Sequence, residues 1–140
     1  MTLSLATLEG RHAVVTGGGR GIGAAVARAL AERGACITLV GRTRATLDEE
    51  AARLRALTEV HFETADVADA ESVATAFAGA AATLGPIAIL VNNAGQAASA
   101  PFARTDLALW QKMLDVNLTG TYLGIRAVLP GMLDLGWGRI

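Results

Sequence analysis

Thr16-Gly-Gly-Gly-Arg-Gly-Ile-Gly23 is the stretch on which the fold of this chain turns. It follows the short apolar run Ala13-Val14-Val15. It precedes an amphipathic run over residues 22–33, which places Ile22, Val26 and Leu30 on one face. Gly17, Gly21 and Gly23 are spaced as GxxxGxG, and Gly19, Gly21 and Ala24 also satisfy the looser GxGxxA form. Glycines between a strand and a helix let the backbone turn sharply and approach a pyrophosphate closely. A helix starting near Gly21 would aim free N–H groups and the positive end of its dipole at such an anion. Gly17, Gly18, Gly19, Arg20, Gly21, Ile22 and Gly23 are therefore the candidate cradle. The alternative is a glycine-rich turn without a ligand, and the strand–helix setting favours a dinucleotide. No Gly-Lys-Ser/Thr follows, so this is not a P-loop.

Outward from the loop, short apolar runs alternate with longer amphipathic ones. Cys36–Val40, Val60–Thr64 and Ile87–Val91 read as strands. Residues 44–57 read as a helix facing inward through Leu47, Ala51 and Leu54. Residues 69–84 read as another, with Val73, Phe77, Ala80 and Leu84 at helical spacing. Residues 106–133 form one long helix or two in sequence. That helix is apolar nearly all round, which calls for burial on more than one side. Cys36–Val40 and Ile87–Val91 are almost continuously apolar, as suits strands covered on both faces, whereas Val60–Thr64 alternates. The pattern predicts an α/β, Rossmann-like doubly wound parallel sheet in the order 3-2-1-4, with helices on both faces. Strand four has an interior composition without edge protection, so it expects a fifth neighbour. Gly138-Arg139-Ile140 would be its truncated beginning. Residues 1–140 then form a single NAD(P)-binding domain, incomplete at its C-terminal end.

The bulk numbers narrow the function. The chain has 140 residues, 52% hydrophobic and 18% charged, enough apolar material for one core. A net charge of −1 and 4% aromatics leave little for binding nucleic acid. The single cysteine, Cys36, lies in an apolar run and reads as a small core residue. His12 and His61 read as surface or satisfied structural residues, and Trp110 and Trp137 as packing. No His, Cys and carboxylate cluster suggests a metal. Met1–Gly10 has no secretory pattern, and the apolar stretch Ala76–Val91 is broken by Gly85-Pro86. A cytoplasmic protein without membrane contact is expected.

The end of strand two bears on the cofactor. An acid there would bond the ribose 2′-OH of NAD. Gly41 and Arg42 stand there instead, and no acid appears before Asp48. Arg42 can pair a 2′-phosphate, with Arg20 as a second positive charge, which favours NADP(H). Alternatively Arg42 is a solvated loop residue and Gly41 leaves room for either cofactor. Asn92-Asn93-Ala94-Gly95 stands at the carboxyl end of a buried strand, where open α/β sheets bind ligands, though paired asparagines also serve turns. Asn117, polar among apolar neighbours, has a hydrogen-bonding task that is structural or catalytic.

Thr16–Gly23, Asp66-Val67, Asn92–Gly95 and Asn117 together resemble the short-chain dehydrogenase/reductase family, in order, from about residue 10 to the end of the chain. The resemblance implies that Asp66 accepts from the adenine amino group, with the Val67 backbone beside it. Asn93, Ala94 and Gly95 would steady strand four and line the nicotinamide-side ribose. Asn117 would bend the long helix and hold a water in the proton relay. The family's serine and Tyr-x-x-x-Lys do not occur here. The one tyrosine, Tyr122, is followed by Arg126 and lies one element too early to be the acid.

These features imply an oxidoreductase passing hydride between NADP(H) and a carbonyl/alcohol substrate, with a 3-oxoacyl compound as one candidate by family frequency. The 140 residues alone are expected to be inactive. A non-catalytic dinucleotide sensor or truncated paralogue is the alternative. A Rossmann methyltransferase would want an acid where Gly41-Arg42 stands. The stripe Leu114, Leu118, Tyr122, Ile125 and Leu129 suggests a homo-oligomer formed through the helix of residues 106–133.

Overall fold

A computed structural model describes residues 7–140. The reading of Met1–Gly10 as lacking a secretory pattern falls largely on residues 1–6, outside the described residues. Four parallel strands form one sheet: β1 (His12–Thr16), β2 (Cys36–Gly41), β3 (Val60–Thr64) and β4 (Ile87–Val91), in the order β3-β2-β1-β4. Three helices cross over between them: α1 (Gly21–Ala31), α2 (Arg44–Leu54) and α3 (Ala70–Leu84). β3 is an edge strand of intermediate burial, whereas β1 is buried throughout.

Strand alternation splits the core between the two sheet faces. Ala13, Val15, Ile37 and Leu39 pack with Ala27 and Ala31 of α1 and Leu47, Ala51 and Leu54 of α2. Val14, Val40 and Leu90 pack on the other face with Val73, Phe77 and Ala80 of α3. Full burial of a leucine such as Leu47 or Leu54 stabilises by about 1.5–3 kcal/mol.

The helix after the glycine loop corrects one expectation. Its buried face is Gly23, Ala27 and Ala31, while Ile22 is 76% exposed. Small residues win because α1 lies close over the loop. A Cβ at Gly23 would meet the Gly17 carbonyl and the Asn93 amide.

After β4 the chain runs through a short 3-10 turn (Phe102–Arg104) into α4 (Leu107–Leu114), a π-helical turn (Asp115–Thr119) and α5 (Gly120–Asp134). α5 buries Gly120, Gly124, Val128 and Met132 and leaves Tyr122, Leu129 and Leu133 exposed, as is Leu118 of the preceding π-helical turn. The expected packing role of Trp110 is not met, since it is 56% exposed on α4. Trp137 does pack, against the core, with the Arg11 guanidinium 4.0 Å and that of Arg139 4.8 Å from its ring centre. Past α5, Arg139 donates to the Ala88 carbonyl (3.0 Å) and accepts from Leu90 N–H (2.9 Å). This isolated parallel bridge places Arg139 beside Ile89 on the side of β4 away from β1.

His12 is buried and fully paired. Its Nδ1 lies 2.8 Å from the Gly85 carbonyl and its Nε2 2.8 Å from the Thr38 hydroxyl. A carbonyl only accepts, so Nδ1 carries the hydrogen and Thr38 donates to Nε2. Burial pushes its pKa below the ordinary value. Cys36 is half-buried, its Sγ 3.5 Å from the Arg11 carbonyl, and burial pushes its thiol pKa up. No helix among the described residues is long and apolar enough to cross a membrane.

Candidate functional site

The carboxyl ends of the four strands open on one cleft of about 290 Å³. The first loop contributes Gly17, Gly19 and Arg20, and the second Gly41, Arg42 and Thr43. The third contributes Asp66 and Val67, and the fourth Asn93, Ala94, Gly95 and Gln96.

The glycines divide their labour. Gly17 and Gly21 have positive φ, 65° and 57°. That left-handed backbone disfavours any other L-residue. A Cβ on Gly17 would also lie 2.9 Å from the Asn93 amide nitrogen. Gly18 is buried behind the turn, where a Cβ would press on Leu39. Gly21, Ile22 and Gly23 form the first turn of α1 and do not line the cleft itself.

One hydroxyl ties the first loop to the fourth. Thr16 Oγ1 accepts from the N–H groups of Asn93 (3.1 Å) and Ala94 (3.0 Å), and donates to the Val91 carbonyl (3.3 Å). Asn93 answers through its side-chain amide, which donates to the carbonyls of Thr16 (3.1 Å) and Gly17 (3.3 Å). The strand-four loop is thereby fixed against the glycine turn. Asn92 lies apart, with its side chain close to Gly124 of α5.

The electrostatics favour an anion. α1 and α2 begin at Arg20 and Thr43 beside the cleft, and neither start carries a side-chain cap. α3 and α4, by contrast, are capped by Asp69 (2.7 Å to Ser72 N–H) and Asp106 (2.8 Å to Leu109 N–H). The uncapped first turns therefore present donors where a phosphate would sit. Among the described residues no carboxylate lies within ion-pair reach of Arg20 or Arg42. Arg44 is spoken for, with its guanidinium 5.2 Å from the Phe62 ring centre. A nicotinamide dinucleotide fits this cradle: open glycine backbone for the pyrophosphate, free helix N–H groups, and two unpaired cations.

Asn117 sits in the π-helical turn. Its Oδ1 accepts from Gln96 N–H (3.1 Å), and its Nδ2 donates to the carbonyls of Gln96 (2.8 Å) and Met113 (2.9 Å). The side chain therefore clamps Gln96 of the fourth loop on both sides and commits both of its amide hydrogens. Tyr122 is exposed on α5, where its hydroxyl accepts from Arg126 (3.3 Å).

Six contributors escaped the sequence reading: Thr43, Thr46, Leu47, Ala65, Gln96 and Val116 also line the cleft. Thr46 and Leu47 belong to the first turns of α2, and a signal existed, since the start of a helix after a strand borders such a cleft. Gln96 and Val116 meet only through the Asn117 clamp, a contact that no local pattern encodes.

The strand order, crossover helices and cleft at the strand ends define a doubly wound dinucleotide-binding protein. The short chain dehydrogenase model matches residues 11–140. The chain belongs to the short-chain dehydrogenase family, and membership implies a nicotinamide dinucleotide cofactor. It is 44% identical to the D-threitol dehydrogenase of Mycolicibacterium smegmatis, over 95% of this chain and 52% of the relative. It is 41% identical to a galactitol 2-dehydrogenase (L-tagatose-forming) of Cereibacter sphaeroides, over 95% of this chain and 52% of that one. A Sinorhizobium meliloti structure provisionally described as a short-chain alcohol dehydrogenase superposes with a TM-score of 0.90 at 38% identity, covering 94% of this chain and 53% of its own. The chain thus spans about half the length of the curated relatives it matches.

Proposed function

We propose that residues 1–140 form the nucleotide-binding domain of an oxidoreductase that passes hydride between NADP(H) and an alcohol/carbonyl pair. The observation that carries the phosphorylated cofactor is the pair Arg20 and Arg42, free of carboxylates at the cleft, with Gly41 where an acid would reject a 2′-phosphate. Arg42 and the uncapped start of α2 bind the 2′-phosphate, with Arg20 as the second charge. Gly17, Gly19 and the first turn of α1 hold the pyrophosphate. Asp66 accepts from the adenine amine beside Val67. Ala94 and Gly95 line the nicotinamide-side ribose.

When bound, the nicotinamide supplies or takes the hydride. Asn117 is a positioning residue here. Both of its amide hydrogens are committed, and its main-chain carbonyl, which accepts from the Thr121 hydroxyl (3.4 Å), would hold the relay water. The proton acid lies outside these residues. The two relatives named above are sugar-alcohol dehydrogenases, which favours a polyol over a 3-oxoacyl substrate. The protein works in the cytoplasm, as a homo-oligomer through the exposed face of α4 and α5.

Calorimetric titration with NADPH and NADH tests the cofactor. Arg42→Ala should weaken NADPH binding by about 1–3 kcal/mol, the range for a charge-assisted hydrogen bond lost in a partly desolvated site. NADH binding should hardly change. Equal losses for the two cofactors would remove Arg42 from the phosphate site.

A further inference from the structure

Gln96 follows the asparagine loop, and its side-chain carbonyl oxygen is buried without a hydrogen-bond donor. Such an oxygen is costly to leave unmade, and in native structures it marks strain, a functional role or a partner such as a water, ion or ligand. The residue is also held still: Asn117 grips both its N–H and its carbonyl. Gln96 lines two spaces. One is the main cleft. The other is a recess bounded by Arg42, Asp66, Lys112 and Val116. Asp66 and Val116 line both spaces as well. The Asp66 carboxylate spends one oxygen on Ala68 N–H (3.0 Å).

We infer that Gln96 reads the N6/N7 edge of the cofactor's adenine, a specificity role that rests on the proposed dinucleotide site. An exocyclic amine has two hydrogens. Asp66 takes one, on the N1 side. The other, together with the N7 acceptor beside it, presents the donor–acceptor pair that a glutamine amide matches bidentately. The terminal amide turns about a soft torsion, so its carbonyl can swing from the buried position to meet the amine. Its NH2 then donates to N7. The amide that is unsatisfied in the free protein becomes satisfied by adenine.

The test compares NADPH with its 7-deazaadenine analogue, in which a C–H replaces N7. Affinities are measured by calorimetry on the whole chain and on Gln96→Leu, with circular dichroism to check folding. The unsubstituted chain should bind the analogue about five- to tenfold more weakly, the size of one or two hydrogen bonds. Gln96→Leu should bind both ligands with the same reduced affinity, a convergence that loss of packing alone would not produce. Equal affinity of the unsubstituted chain for both ligands overturns the role of Gln96 and leaves the dinucleotide site standing. So does a Gln96→Leu variant that still discriminates. If the unsubstituted chain binds neither ligand, the dinucleotide reading and this inference fail together. Should Gln96→Leu not fold, the comparison on the unsubstituted chain still decides.

Discussion

Thr16 holds two loops together with a single oxygen, so its removal has a definite cost. Thr16→Val keeps the shape but leaves the Ala94 N–H without its acceptor and the Asn93 N–H with the Val91 carbonyl alone (3.1 Å). The loss should be about 1–3 kcal/mol, from one part-buried donor left unpaired. Urea denaturation would measure it, and a loss below the error of that method would mean that the loop pairs elsewhere. His12 gives a pH signature of its own. Burial holds its folded-state pKa below the unfolded 6.5, so the unfolded chain binds the proton more readily. Its contribution to stability is complete above about pH 6.5 and declines as pH falls toward the lowered folded value. In His12→Gln, stability should fall less steeply between about pH 6.5 and 5 than in the parent chain. Parallel pH profiles would show that another group sets the slope. Neither role could be read beforehand. Thr16 is visible in sequence as the first residue of a motif, but the N–H groups that donate to its hydroxyl lie 77 and 78 positions away. His12 finds Gly85 and Thr38 only once strands and crossover have formed.

The junction of β1 and α1 is where the sequence was most legible. The glycine spacing placed a strand before it and a helix after it, and the elements begin and end within a residue or two of that pattern. The burial face of α1 was misread because hydrophobicity ranks Ile22 above Gly23. Close approach of helix and loop demands the smaller residue, and periodicity does not report distance. The same distinction separates two substitutions. Gly21→Ala meets open space but must hold a φ of 57°, which costs about 1–2 kcal/mol. Gly23→Ala has an ordinary φ, but its Cβ meets the Gly17 carbonyl and the Asn93 amide, so α1 must lift off β1. Gly23→Ala should therefore be the more destabilising of the two in thermal melts. The reverse order would place the constraint in the backbone rather than in the packing. The π-helical turn at Asp115–Thr119 was not foreseen as such, although Asn117 stood out as polar. It arises where one side chain must reach three backbone groups on two elements.

The whole molecule leaves one helical face and one sheet edge short of partners. Along α4 and α5, Leu107, Trp110, Leu118, Tyr122, Leu129 and Leu133 are exposed, with Leu118 64% and Leu133 71% accessible. Single exposed leucines are ordinary, but a continuous stripe is an association surface. On the sheet, β4 is paired with β1, with a register shift between His12 and Ala13, and only at the Arg139 bridge on its other side. An apolar strand with open backbone groups invites pairing with another copy. The chain should therefore sediment and scatter light as more than a single copy at micromolar concentration. Leu118→Lys with Leu133→Glu should shift it toward the monomer, since both positions lie outside the core and tolerate charge. The chemistry points the same way for activity. Binding a dinucleotide needs only the loops already present, whereas exchanging an alcohol proton needs an acid of tuned pKa near the nicotinamide. Tyr122, the one tyrosine, is exposed on α5 and bonded to Arg126. NADPH should therefore bind without being oxidised by a panel of ketones and ketoses. A monodisperse monomer that turned over a ketone would overthrow both expectations and return Tyr122 as a candidate acid.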